Sequence, residues 1–98
     1  MWIRTQNKQR IINSDQIIDI FVARTAPVLY ANTTDDADFL ILGEYKDKDT
    51  CLDILECLLV GIGSNVPAIS LPLGGEVEEW KKEVETITTA YISKEFIS

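Results

Sequence analysis

Residues 51–63, CLDILECLLVGIG, constrain the fold more than any other stretch. Thirteen residues carry only two charges, Asp53 and Glu56. The run is too short to cross a bilayer, which takes about 20 apolar residues. Leu52, Leu55, Leu59 and Ile62 recur at i, i+3, i+7 and i+10, so a helix is expected, with that stripe facing a sheet. On that reading Leu55→Ala removes core packing and costs about 2–5 kcal/mol. Cys51, Ile54 and Leu58 fall outside the stripe, so the apolar arc is wider than one sheet face covers. A further element must pack there. Asp47 suits the N-cap, Asp49 suits the first turn, and Gly61 or Gly63 can supply a left-handed end.

The chain before this helix reads as strands. WIRT and RII flank QNKQ as a short hairpin, and Asn13-Ser14-Asp15 signals a turn or bulge. In residues 17–23, Ile18, Ile20 and Val22 should share one face, with Ile17, Asp19, Phe21 and Ala23 on the other. Pro27 breaks the run before VLYANT at 28–33. A polar turn at 34–38 leads to FLILGEY at 39–45. The expected layout is an antiparallel meander of four or five strands over 1–45, packed on one helix at 48–62.

Beyond the helix, 64–73 should be extended, because Pro67 and Pro72 exclude a helix interior. A second helix is expected over 76–92. Val77, Trp80, Val84, Ile87 and Tyr91 form an a/d seam on it. Residues 87–92, ITTAYI, are β-branched and aromatic and read nearly as well as a strand. The seam has two candidate partners: the spare face of the first helix in the same chain, or another copy of the protein. Trp80, Val84, Ile87, Tyr91, Ile54 and Leu58 are therefore the candidate interface residues.

Ninety-eight residues make one domain, 1–98, able to bury a core without disulfides. Cys51 and Cys57 lie six apart and point to different sides of a helix, so they cannot pair with each other there. Reduced cysteines and the lack of an apolar leader in MWIRTQNKQR point to the cytoplasm, with no membrane segment. The net charge is −7, unevenly spread. Residues 1–24 hold four Lys/Arg against two Asp, and residues 25–98 hold five against fourteen Asp/Glu. That surface repels a phosphate backbone, so no nucleic-acid partner is expected; the charge serves solubility first, and the sharper alternative is a basic protein partner.

Several short motifs resemble a family of small uncharacterised proteins of Gram-positive bacteria and their mobile elements, whose members open MWIRSQ. The matching residues are Met1-Trp2-Ile3-Arg4-Thr5-Gln6, Arg10-Ile11-Ile12-Asn13, Leu42-Gly43-Glu44-Tyr45 and Cys51-Leu52-Asp53-Ile54-Leu55. Leu71-Pro72 and Glu76-Val77 resemble the family's later motifs. Thr5 stands where Ser is usual, Cys51 where Ala is usual, and the C-terminal helix looks like an extension. The resemblance covers about the first three-quarters of the chain. It implies a compact α+β domain of bacterial or phage-like origin, and it implies no activity.

Catalysis has little to work with. The chain has no histidine, which removes Ser-His-Asp and Cys-His systems and the commonest metal ligand. Cys-x5-Cys does not match zinc spacings, and GIGSNV ends a helix instead of opening one over a phosphate. Asp35, Asp36 and Asp38 lack the central glycine of a calcium loop and read as a solvated turn. No catalytic residue, metal or cofactor is assigned. The leading expectation is a non-catalytic module that binds a protein partner or itself, as a homodimer. The alternative is an acidic inhibitor, of a kind phages carry, that fills the basic nucleic-acid groove of another protein.

Overall fold

A computed structural model describes the backbone of residues 1–34 and 39–97, and side chains up to residue 92. The turn holding Asp35, Asp36 and Asp38 lies outside the described residues. The chain is α+β, with the order β1 (Trp2–Arg4), β2 (Ile11–Asn13), β3 (Ile17–Val22), β4 (Val28–Thr33), β5 (Leu40–Glu44), α1 (Lys48–Gly63), β6 (Ala68–Ser70) and α2 (Val77–Ile97).

The strands form two three-stranded sheets, β2-β1-β6 and β3-β4-β5, where the sequence suggested one meander. The break falls at Ser14–Gln16, a 3-10 turn. There the Asn13 side chain accepts from the Asp15 N–H at 3.0 Å, and the Ser14 N–H donates to the Met1 carbonyl at 2.7 Å. The Ser14–Met1 bond ends the β1–β2 ladder, and the local Asn13–Asp15 bond turns the chain out of the first sheet before β3 begins. The extended segment after α1 supplies β6, which runs parallel to β1 with Ile3 opposite Ile69. β3, β4 and β5 are antiparallel neighbours.

Gln6 joins the two sheets by acting as a strand. Its N–H donates to the Leu42 carbonyl at 2.9 Å. Its side-chain amide donates to the Glu44 carbonyl at 2.8 Å and accepts from the Glu44 N–H at 2.9 Å. The outer edge of β5 is thereby covered from Leu42 to Glu44.

The core lies between the sheets and α1. Ile3, Leu29, Ala31, Leu42, Cys51, Ile54, Leu58, Val66 and Leu71 are its fully buried members. Tyr45 closes one end and donates its hydroxyl to the Pro72 carbonyl at 3.0 Å. Burial, with the Cys51 thiol nearby, pushes the Tyr45 phenol well above its ordinary value. Its ring explains Gly43, where a Cβ would come within 2.9 Å of the ring edge and hydroxyl. Gly43→Ala is expected to cost about 1–3 kcal/mol in urea unfolding, because the ring is pinned and cannot yield. Gly63, with nothing within 4 Å of a Cβ, is the matched control and should lose no stability as alanine.

Asp47 caps α1. Its carboxylate accepts from the Thr50 hydroxyl at 2.6 Å and from the Thr50 N–H at 2.8 Å. Those bonds hold the Asp47 carboxyl below the usual range. The cap therefore stabilises the fold at neutral pH and loses its effect as pH falls through the folded-state value. The gap in melting temperature between the wild type and Asp47→Ala should be open at pH 7 and close once pH drops well below about 4, the ordinary carboxylate value. At the other end neither glycine takes the left-handed position. Asn65 takes it, with φ 60°. Gly61 instead lies buried inside the helix, where the Ile69 side chain approaches.

The core face of α1 is rotated from the expected one. Cys51, Ile54 and Leu58 are buried, and Leu52, Leu59 and Ile62 are exposed. Leu55 lies at the boundary and is only partly buried. Periodicity fits both stripes, since they are adjacent on one helix. What selects between them is the second helix. α2 is one continuous helix through residues 87–92, and it packs on the Cys57 side of α1. Lys81 marks the seam by pairing with Asp53 at 3.1 Å.

Candidate functional site

The six candidate interface residues are mostly used within the chain. Ile54, Leu58, Trp80 and Val84 are buried in the common core, and Tyr91 is half-buried against it. Ile87 is the exposed member. The Trp80 indole N–H donates to the Ser70 carbonyl at 2.7 Å, so this side chain ties α2 to the end of β6.

With α2 on one flank, the uncovered apolar face of α1 is the other flank. Leu52 is 51 % exposed, Leu59 64 % and Ile62 41 %. Beside them runs β3, and a bulge between Ile17 and Asp19 changes its facing. Ile17, Ile20 and Val22 pack toward the core, while Ile18 is 64 % exposed. The alternation expected from sequence fails there because the bulge inserts one unpaired residue. Ile18, Leu55, Leu59 and Ile62 line a groove of about 500 Å³ between β3 and α1. Among the described residues its charged lining is Asp15, Asp19 and Glu56, with no Lys or Arg. Among the described residues β3 also ends the order of its sheet, paired with β4 on one side only.

Two other features lie outside this groove. On the outer face of the second sheet, Phe21 stacks on Tyr30 with centroids 5.7 Å apart, and Phe39 meets both edge-on at 5.1 and 6.2 Å. These rings cover one another, as cross-strand aromatic pairs do. Between α1 and α2 lies a second cleft of about 470 Å³, lined among others by Cys57, Val84 and Thr88. Burial pushes the Cys57 thiol up, with Lys81 opposing and Asp53, Glu56 and Glu85 adding to the rise. A thiol held protonated is a poor nucleophile. The Thr88 hydroxyl is buried without a hydrogen-bond partner. Thr88→Val keeps the shape and removes that orphan, and should raise stability by up to about 1 kcal/mol.

Among the described residues no group of three or more His, Cys, Asp or Glu is placed to hold a metal ion. Nor is any described helix long and apolar enough to cross a membrane. The β3–α1 groove therefore stands out as an apolar surface with an open strand edge, suited to holding a partner by burial. Sequence reasoning misses it because periodicity puts Leu52, Leu59 and Ile62 against the sheet and Ile18 on one strand face with Ile20 and Val22. No family model, no curated protein and no solved structure matches the chain.

Proposed function

We propose that the chain is a non-catalytic, cytoplasmic module that binds a protein, either a different one or another copy, through the face formed by β3 and α1. The observation that carries this reading is the apolar lining Leu55, Leu59 and Ile62 beside Ile18 on the β3 edge, of which Ile18, Leu59 and Ile62 are exposed. Scattered apolar residues on a surface are ordinary, but a contiguous stripe along a groove marks an interaction site. The N-terminal motifs support placing the protein with the MWIRSQ-type family of bacteria and mobile elements, a relation that brings no enzyme chemistry.

The test pairs Ile18→Lys with Leu59→Lys. Both positions are exposed, so the fold and melting temperature should hold. Association should be lost, whether read as solution mass by light scattering or as capture of a partner by the tagged protein. A double variant that keeps every association of the wild type overturns the reading.

A second reading follows from the charge of residues 25–98, where fourteen acidic residues face five basic ones. There the module is an acidic competitor for a basic nucleic-acid groove. Binding of that kind should fall steeply above about 0.3 M salt, where the Debye length is well under 10 Å. Apolar docking should survive it.

A further inference from the structure

The helix is wider than the sheet it rests on. α1 carries two adjacent apolar stripes, one in the core and one beyond β3. Among the described residues the second sheet ends at β3, so the outer stripe has no strand beneath it. One further strand beside β3 would lie over Leu55, Leu59 and Ile62, which line the groove there. The two free edges are also treated differently. Gln6 covers β5 from Leu42 to Glu44 with three hydrogen bonds, whereas β3 carries no Pro and no Lys to repel a neighbour. The bulge disturbs only the start of β3, and from Asp19 to Val22 the register with β4 is regular. The Ala23 N–H donates to the Val28 carbonyl. By antiparallel alternation the backbone groups of Ile20 and Val22 therefore point away from β4.

We propose that the β3 edge receives a cationic strand from another protein, which extends the sheet and lays its apolar side chains on the outer stripe of α1. This rests on the docking face proposed above and names its occupant. Charge decides the chemistry. The groove is flanked by Asp15, Asp19 and Glu56, with no basic residue among its described lining. A second copy would bring the same three carboxylates and a further net charge of −7. A strand alternating apolar residues with Lys or Arg meets both requirements, since its two faces separate the apolar contact from the charge.

The probe is a labelled, end-capped heptapeptide alternating valine with lysine, and its valine–glutamate counterpart, each titrated into the full chain by fluorescence anisotropy. The lysine peptide should bind, and the glutamate peptide should bind at least about tenfold more weakly, the scale of a few exposed charge pairs. Leu59→Lys should abolish binding. Asp19→Lys with Glu56→Lys should reverse the preference. Amide exchange of Ile20 and Val22 should slow in the complex. Equal binding of both peptides, each lost in Leu59→Lys, overturns the cationic partner and leaves the docking face standing. No peptide binding, with a wild-type dimer that Leu59→Lys dissolves, overturns it in favour of a second copy. No binding to a monomer whose behaviour Leu59→Lys does not change overturns both the strand and the docking face.

Discussion

Leu58→Ala is expected to cost about 2–5 kcal/mol in urea unfolding, and Leu59→Ala less than about 0.5 kcal/mol. The two substitutions are chemically identical, adjacent in the chain and both within α1, so helix propensity cancels. Only surroundings differ. Leu58 is fully buried among residues of the common core, and its truncation leaves a cavity that close-packed neighbours cannot fill. Leu59 lies in the open groove, where alanine leaves nothing behind but water. The pair also places the face of α1 experimentally. A large loss at Leu59 with a small one at Leu58 would mean the helix is rotated toward the stripe that periodicity first suggested. A loss at Leu59 that grows with protein concentration would mean a second copy covers it.

Trp80→Ala should have the other large effect, about 3–5 kcal/mol. The indole fills the space between α2 and the end of β6, and its N–H satisfies the Ser70 carbonyl at 2.7 Å. Removing it deletes the largest apolar contact of α2 and leaves a carbonyl short of its donor. Val84 and Val77 are the other buried apolar residues on the described part of α2, so the helix should loosen from α1 before the sheets unfold. Cys57 reports this directly, since it lines the cleft between the helices. Its labelling by a thiol reagent should speed up in Trp80→Ala well below the global unfolding midpoint. Unchanged labelling with full loss of stability would show that α2 and the sheets unfold as one unit. Trp80→Phe keeps the ring and loses the donor, and should fall between, at about 1–3 kcal/mol.

Local chemistry was legible in the sequence. Asp47 caps α1, and the QNKQ turn joins β1 to β2. The five short strands before the helix and the extended, proline-flanked segment after it also follow from residue type. The β-branched run 87–92, which reads nearly as well as a strand, is helical as the expected 76–92 span has it. Facing was harder. Ile18 parts from Ile20 and Val22, its expected face-mates, because a bulge shifts β3 by one residue. Cys51, Ile54 and Leu58 replaced Leu52, Leu59 and Ile62 because α2 occupies one flank of α1.

The chain by itself determined that there would be strands, then a helix apolar over more than one face, then a proline-bounded segment and a second helix. Those follow from period, capping and turn chemistry, which act over a few residues. Only the tertiary structure decided which of two adjacent stripes on α1 is core and which is surface. It also decided that β6 pairs with β1, and that β5 has a covered edge while, among the described residues, β3 is paired on one side only. These outcomes turn on contacts between residues tens of positions apart. A helix apolar on two sides carries no local mark of which side its neighbours will take.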